Sequence, residues 1–359
     1  MTCAHSSARR TKVSKRPTID DVAREAGVAR ATVSRVLNAS PQASERVREQ
    51  VMGAVRKLDY QVNHQARQLA SGASRQLGLV FAANAEAEPN SYYHSAIELG
   101  AMRVCTERGY GLVTHVFDPA SADVRGRIGQ LLESQRCDGL MLTPPFSDDV
   151  ELIGSLNDSG NPFVLISAGP VGRGLAISVG IDDWQAGYEL GKFATDNGHR
   201  RFAFITGPRE HQSAALRLEG FEAALAEKGH GRESLAVAEG NFTFKSGVEV
   251  AEELLTAQPA PTVLVCANDD MAAGALFTAH RLDLSVPGDL SLTGFDDTPV
   301  SQIVWPPLTT IHQPLRQMGS KATELLIAKI TPDVEPAKGA AQGYLAPFHL
   351  IERASTQPF

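Results

Sequence analysis

The sequence predicts a small all-α headpiece followed by an α/β body of two doubly wound parallel-sheet subdomains. Three observations carry this. Three short helical patterns crowd into residues 17–60. From residue 76 the pattern changes to short apolar runs alternating with helical stretches, the signature of parallel strands covered on both faces. The chain has 359 residues, 43% hydrophobic and 21% charged, which suits two or three ordinary globular domains and excludes collagen-like, wholly disordered and disulfide-framework classes.

Residues 1–16 are polar and basic and read as a disordered arm; with no apolar segment behind it, this start does not resemble a secretory signal. The first helical pattern is Thr18–Ala26. Thr18 with Asp21 makes a capping box, Ile19, Val22, Ala23 and Ala26 share one face, and Gly27 ends the helix. The second is Arg30–Leu37, with Val33, Val36 and Leu37 inward. Ser44 caps the third, whose inner stripe is Val47, Val51, Val55 and Leu58. Residues 61–75 form a polar junction that would be a marginal helix alone in water. Eight apolar runs follow, Leu77–Ala82, Gly111–Phe117, Gly139–Thr143, Phe163–Ser167, Phe202–Thr206, Leu235–Ala238, Thr262–Ala267 and Leu290–Thr293, with a first crossover near Ser178–Asp182. No run is long enough to span a bilayer.

Charge is divided unevenly. Residues 1–75 hold 14 Lys+Arg against 6 Asp+Glu, and the remainder 20 against 35, so a head of +8 sits on a body of −15. A basic module joined to an acidic one suggests a polyanion binder attached to something that binds something else. The four cysteines lie far apart without a C-x-x-C pair, which points to free thiols in a reducing compartment. No metal site, cofactor motif or catalytic constellation is visible. Gly169–Gly174 lacks the G-x-G-x-x-G order and reads as a turn.

Helix, glycine turn and helix at this spacing suit a helix-turn-helix, whose second helix enters the major groove. Its outer face offers Arg30, Ala31, Ser34 and Arg35, and arginine can read guanine or neutralise phosphate. Asn38 and Ser44 stand at helix ends, where side chains and N–H groups hold phosphates. A plain three-helix bundle with solvated arginines has the same spacing.

The run Thr18 to Asn38, TIDDVAREAGVARATVSRVLN, resembles the N-terminal signature of the lac repressor family of bacterial transcription regulators. The match continues through Leu58-Asp59-Tyr60 and Asn63–Ala70, and resumes at Arg217–Phe221, Ala267–Ala272, Thr293–Asp297 and Pro306–Ile311. The resemblance implies a homodimer on palindromic operator DNA, with Thr18, Arg30, Ala31, Thr32, Ser34, Arg35, Asn38 and Ser44 at the DNA. It implies a hinge helix in the minor groove carrying Asn63, Ala66 and the wedge Leu69. Val62 stands where the family often has proline. Fewer than ten residues follow Arg353, too few for a C-terminal tetramerising helix, so a dimer is expected.

For the body, the resemblance implies a periplasmic-binding-protein-like fold with ligand in the cleft between its halves. The N-subdomain is placed at about 76–178 and 311–335, and the C-subdomain at about 179–310 and 336–359. The matched cleft positions are Tyr93, His94, Ser167, Ser213, Arg217, Phe242, Asn268, Asp296 and Gln313. Their chemistry fits a polyol. Charged and amide groups bond hydroxyls, and aromatic rings cover a sugar face. Read alone, Arg217 suits a structural ion pair, Phe242 packing, Leu69 a core position, and Asp296-Asp297 a loop, cap or metal pair. Ser167 replaces a frequent acid and His94 a frequent aromatic residue. The implied function is a cytoplasmic, nucleoid-associated repressor of carbohydrate-utilisation genes, switched by a sugar or glycoside and not an enzyme. A nucleobase corepressor, a solute-binding protein and an enzyme of doubly wound fold are the rivals.

Overall fold

The computed structural model describes residues 17–37, 43–60, 74–83, 91–331 and 343–359. The chain divides into two compact units, Met1–Ala73 and Ser74–Phe359.

Among its described residues the first unit has three helices, α1 (Ile19–Ala26), α2 (Arg30–Leu37) and α3 (Glu45–Lys57). Thr18 and Asp21 form a reciprocal capping box, and Gly27 closes α1 in the left-handed conformation (φ 65°), which glycine adopts without strain. Val22, Ala23, Val33, Val36, Val51 and Ala54 make the core. Leu37, Val47, Val55 and Leu58 are half-buried beside it. Ser44 occupies the N-cap position of α3, but its side chain makes no capping hydrogen bond, contrary to expectation.

The second unit begins at Ser74, two residues before the expected boundary. Asp138 accepts hydrogen bonds from the backbone N–H groups of Ser74 and Arg75, each at 2.7 Å, and this fixes the entry to the sheet. A six-stranded sheet has the order β11-β5-β4-β3-β1-β2, with β1 (Gln76–Ala82), β2 (Gly111–Phe117), β3 (Gly139–Leu142), β4 (Phe163–Ile166), β5 (Ser178–Gly180) and β11 (Tyr344–Leu345). A four-stranded sheet has the order β7-β6-β8-β9, with β6 (Phe202–Thr206), β7 (Leu235–Glu239), β8 (Val263–Cys266) and β9 (Ser291–Thr293). All pairings in both sheets are parallel. All eight expected runs form strands. Those in β2 and β7 are only partly covered, because each is the outermost strand of its sheet.

Helices pack around these sheets: α4 (Ser91–Arg108), α5 (Val124–Glu133), α6 (Val150–Asp158), α7 (Pro170–Leu175), α8 (Asp183–Asp196), α9 (Gln212–Glu227), α10 (Phe244–Thr256), α11 (Asp269–Arg281), α12 (Pro299–Ile303) and α13 (Leu315–Ile330). A two-stranded antiparallel ribbon, β10 (Thr310–His312) with β12 (His349–Ile351), joins the second lobe through bridges Thr293–Thr309 and Asp296–His312.

Ser178–Gly180 pairs with β4, so the first crossing follows Gly180, within the expected Ser178–Asp182. Two later subdomain boundaries move. Thr310–His312 belongs with the second lobe, so the next follows His312. Tyr344–Leu345 pairs with β5, so the last follows Leu345, not residue 335. Strands of two or three residues show too little alternation to be read from sequence.

Candidate functional site

On the headpiece, burying Val33 and Val36 turns the other side of α2 outward. Arg30, Ala31 and Arg35 are exposed; Thr32 and Ser34 are half-buried. Arg30 stands 3.8 Å from Asp20 of α1 in an exposed pair, which in water contributes little. Thr18 is exposed, its hydroxyl engaged with Asp21. Ser44 is exposed and leaves the N–H groups of α3 uncapped by its side chain. Asn38, Asn63, Ala66 and Leu69 lie outside the described residues.

In the body, eight of the nine expected cleft residues line one cavity of about 220 Å³: Tyr93, His94, Ser167, Ser213, Arg217, Phe242, Asn268 and Asp296. Its walls follow the carboxyl ends of strands, the crevice where open parallel sheets take ligands. Ala83 follows β1, Pro119 β2, Pro144 and Pro145 β3, Ser167 β4, Pro208 β6, Asn241 and Phe242 β7, Asn268 β8, and Asp296 β9. Gln313 does not line the cavity. It stands behind it, buried, its Nε2 donating to Asp296 Oδ1 at 2.5 Å while its Oε1 is buried without a partner.

Arg217 is held from several sides. Its Nε donates to Asp183 Oδ1 at 2.9 Å and its Nη1 to the Ala267 carbonyl at 2.8 Å. Its guanidinium carbon lies 3.6 Å from the centre of the Phe295 ring. The pair exists because α8 and α9 approach closely. A Cβ at Gly187 would fall 1.9 Å from the Arg217 carbonyl oxygen, and one at Gly220 equally close to that of Trp184. The ion-pair reading of Arg217 and its place in the cavity are both observed.

Asn268 caps α11, accepting from Met271 N–H at 3.0 Å and donating to the Phe242 carbonyl at 2.9 Å. Tyr93 Oη donates to Ser167 Oγ at 3.0 Å. Three cavity residues carry left-handed backbone without being glycine: Ser167 (φ 54°), Phe242 (φ 65°) and Asp296 (φ 103°). Such conformations persist where the surroundings over-determine them, and they gather at ligand sites.

Burial governs the titration of the cleft. It lifts Asp296 to about 7 against the opposing pull of Arg217, and it raises Asp183, with Arg217 again opposing. His94, packed 4.1 Å from the Phe81 ring, and His211, 5.2 Å from the Phe242 ring, are both held down to about 4 by burial. Both imidazoles are therefore neutral at physiological pH. Asp297 is not a ligand group facing the cavity. It receives Arg353 Nη2 at 2.5 Å and bonds His312 Nδ1 at 3.0 Å.

Sequence reasoning missed His211, Asn241, the four prolines and Asp183. The polar stretch Glu210-His211-Gln212 reads as an ordinary loop. Asp182-Asp183 at a helix start reads as a cap, which Asp182 is.

Among the described residues no helix is long and apolar enough to cross a membrane. Residues 18–63 match the model for bacterial regulatory proteins of the lacI family, and residues 192–356 that for a periplasmic-binding-protein-like domain. The HTH-type transcriptional regulator CelR of Thermobifida fusca is 33% identical, over 92% of this chain and 97% of its own. The ribose operon repressor of Escherichia coli is 32% identical, over 94% and 99%. A lac repressor dimer bound to operator and an anti-inducer superposes with a TM-score of 0.80 at 28% identity, over 96% of this chain and all of the other. With the headpiece exposing the outer face of its second helix and the body gathering polar and aromatic side chains around one cavity at its strand ends, the chain belongs to the lacI family of bacterial regulatory proteins.

Proposed function

We propose that this chain is a sequence-specific DNA-binding repressor of carbohydrate-utilisation genes, whose operator affinity is set by a small sugar-type molecule in the cleft. One observation carries the reading: Tyr93, His94 and Ser167 from the six-stranded lobe and Ser213, Arg217, Phe242, Asn268 and Asp296 from the other converge on one cavity. A molecule bonded to both lobes favours the arrangement in which both reach it, and it shifts the equilibrium only by its differential affinity for the two arrangements. Asp296 and Arg217 bond hydroxyls, Asn268 and Ser213 add neutral partners, and Phe242 and Tyr93 cover an apolar face. Gln313 positions Asp296 from behind. Similar solved proteins include a CelR–cellobiose complex, 31% identical with a TM-score of 0.71.

At the DNA, Arg30, Ala31, Thr32, Ser34 and Arg35 face the major groove, Thr18 and Ser44 the phosphates. Asn38, Asn63, Ala66 and Leu69 are assigned from the sequence resemblance alone. The active species is a homodimer on a palindromic operator, acting in the cytoplasm as part of the nucleoid and without enzymatic turnover. A second reading, a nucleobase corepressor, draws on relatives such as the HTH-type transcriptional repressor PurR of Haemophilus influenzae, 33% identical over 94% of this chain.

A thermal-shift screen against sugars, glycosides and nucleobases tests the assignment. A sugar or glycoside that raises the melting temperature and changes operator affinity supports it. A response to nucleobases alone replaces it with the second reading.

A further inference from the structure

We propose that Asp148, which does not line the cavity, is the residue that positions the two walls of the cleft against each other, its carboxylate capping a helix of one lobe from the other lobe. The consequence for a bound molecule rests on the cleft being the effector site; the tie between the lobes does not.

α9 brings Ser213 and Arg217 to the cavity, yet it begins without a capping side chain of its own. Its N-cap residue is His211, which makes no side-chain capping bond, and its first turn holds no acid. The first N–H groups of a helix need acceptors from outside the helix. α8 and α11 find theirs in the residues that precede them, Asp182 and Asn268. α9 instead donates the Gln212 N–H to Asp148 Oδ2 at 3.2 Å, in the six-stranded lobe.

The other carboxylate oxygen serves its own lobe. Oδ1 accepts the Gly169 N–H at 2.7 Å, just beyond the wall residue Ser167. Two oxygens thus hold two donors, and the end of β4 is tied to the start of α9. The turn that carries Asp148 is itself fixed. Ser147 N–H donates to the Thr143 carbonyl at 3.1 Å and Asp148 N–H to the Pro145 carbonyl at 3.0 Å. A Cβ at Gly172 of α7 would lie 2.6 Å from the Ser147 carbonyl oxygen. The lobes also meet here: a Cβ at Gly169 would fall 2.0 Å from Gln212 Oε1 and 2.6 Å from Gln212 Cβ. Arg173 of α7 lies near Asp148 and Asp183, a carboxylate from each lobe. Burial raises the Asp148 carboxyl, and the two N–H groups oppose that by bonding its charged form.

Parting the lobes breaks the Gln212 bond and leaves the first N–H of α9 to water. The carboxylate therefore favours the arrangement in which Ser167 faces Ser213 and Arg217. A charged acceptor at a helix N-terminus gains from the helix dipole as well as from the hydrogen bond. Asp148 follows β3, two strands in from β5, whereas the chain crosses between lobes after Gly180, His312 and Leu345. It acts on the lobe angle from a point away from the hinge.

Amide hydrogen exchange of the ligand-free full chain, read at the crossings, tests this. The Ala346 N–H, bonded to the Gly180 carbonyl at 2.7 Å, and the Leu315 N–H, bonded to the Gln313 carbonyl at 2.9 Å, report lobe movement. In Asp148→Ala both should exchange at least ~3-fold faster than in the wild type, as expected when one hydrogen bond no longer opposes opening. Amides inside β6 and β8 should keep their wild-type rates. If those accelerate too, the fold itself has loosened and a second variant, Gly169→Ala, decides. Its backbone (φ −71°, ψ −178°) suits alanine, and the added methyl wedges the same seam with the carboxylate still in place. It should accelerate the same two amides. Wild-type rates at the crossings, even with faster exchange at Gly169 and Gln212 themselves, would make Asp148 a local cap and overturn the proposal. No sugar enters this test, so a failed sugar screen leaves its result standing, and its failure leaves the sugar reading standing.

Discussion

The proposed DNA-reading face of the headpiece and the proposed ligand cleft present their side chains in opposite ways. In the headpiece, α2 buries two valines and leaves Arg30, Ala31 and Arg35 in solvent. In the body, Arg217, Asn268 and Asp296 are at most 5% exposed, and each is already bonded within the protein. An exposed reader of DNA can change without disturbing the fold beneath it. A buried polar group that faces a ligand also holds the fold, so its replacement acts on stability and binding together.

Arg217→Ala should show this most strongly. It leaves Asp183 and Asp296 buried without their cation, so denaturant unfolding should report a loss of about 3–5 kcal/mol. Replacing Arg217 and Asp183 together by apolar residues of similar volume should restore much of the stability and none of the effector binding. A loss below ~1 kcal/mol for Arg217→Ala, the scale of a solvent-exposed pair, would break the contrast between the two regions.

Asp296→Ala sits between the extremes. Calorimetry should show effector affinity weakened by about 1.5–3 kcal/mol, the range for hydrogen bonds to charged groups. Effector-free operator binding should stay intact. Loss of both activities would make Asp296 a structural residue.

Arg35→Ala should do the reverse. Operator affinity should fall by about 1–3 kcal/mol if Arg35 reads a base, and unfolding stability should change by no more than ~0.5 kcal/mol. Fluorescence anisotropy at several salt concentrations checks the first and denaturant melts the second. Unchanged operator affinity would remove Arg35 from the interface.

The smallest effect concerns pH. His94 titrates near 4 in the folded chain against 6.5 when free, so between those values the unfolded state binds the proton and the folded state does not. Stability from this group is complete above 6.5 and is lost as pH falls towards 4. His94→Gln should remove that loss, a gain on the order of 1 kcal/mol at pH 5 relative to the same comparison at pH 7.5, allowing for partial solvent screening. His211, held down by the same cause, keeps its own share of the slope. Parallel pH profiles for the two proteins would contradict the burial of His94.

How much of this was legible in the sequence follows from how each region is assembled. The headpiece is contiguous: its caps, its glycine stop and its valine spacing fix which face of α2 is outward before any tertiary contact is known. The cleft is built from loops after several strands, and its residues were placed through resemblance rather than periodicity. Asp183 and Asp148 were not legible at all. Each acts through a partner distant in sequence, Arg217 lying 34 residues away and Gln212 lying 64. The ion-pair reading of Arg217 was correct and incomplete, because spacing cannot reveal that one guanidinium serves a carboxylate and a cavity wall together. The two later crossings fall elsewhere than expected, because strands of two or three residues lose their pattern.

On the proposed function, occupancy of the cleft sets operator affinity through groups outside the headpiece. Its most direct test is operator binding by wild type and Asp296→Ala, each with and without cellobiose or whichever neutral sugar raises the melting temperature. The wild type should change its operator affinity by roughly 5–150-fold, the usual span of coupling between two sites. Asp296→Ala should match the wild type without sugar and show no such change at a sugar concentration that saturates the wild type. An equal response in both proteins, or none in the wild type when its cleft is filled, would contradict the account.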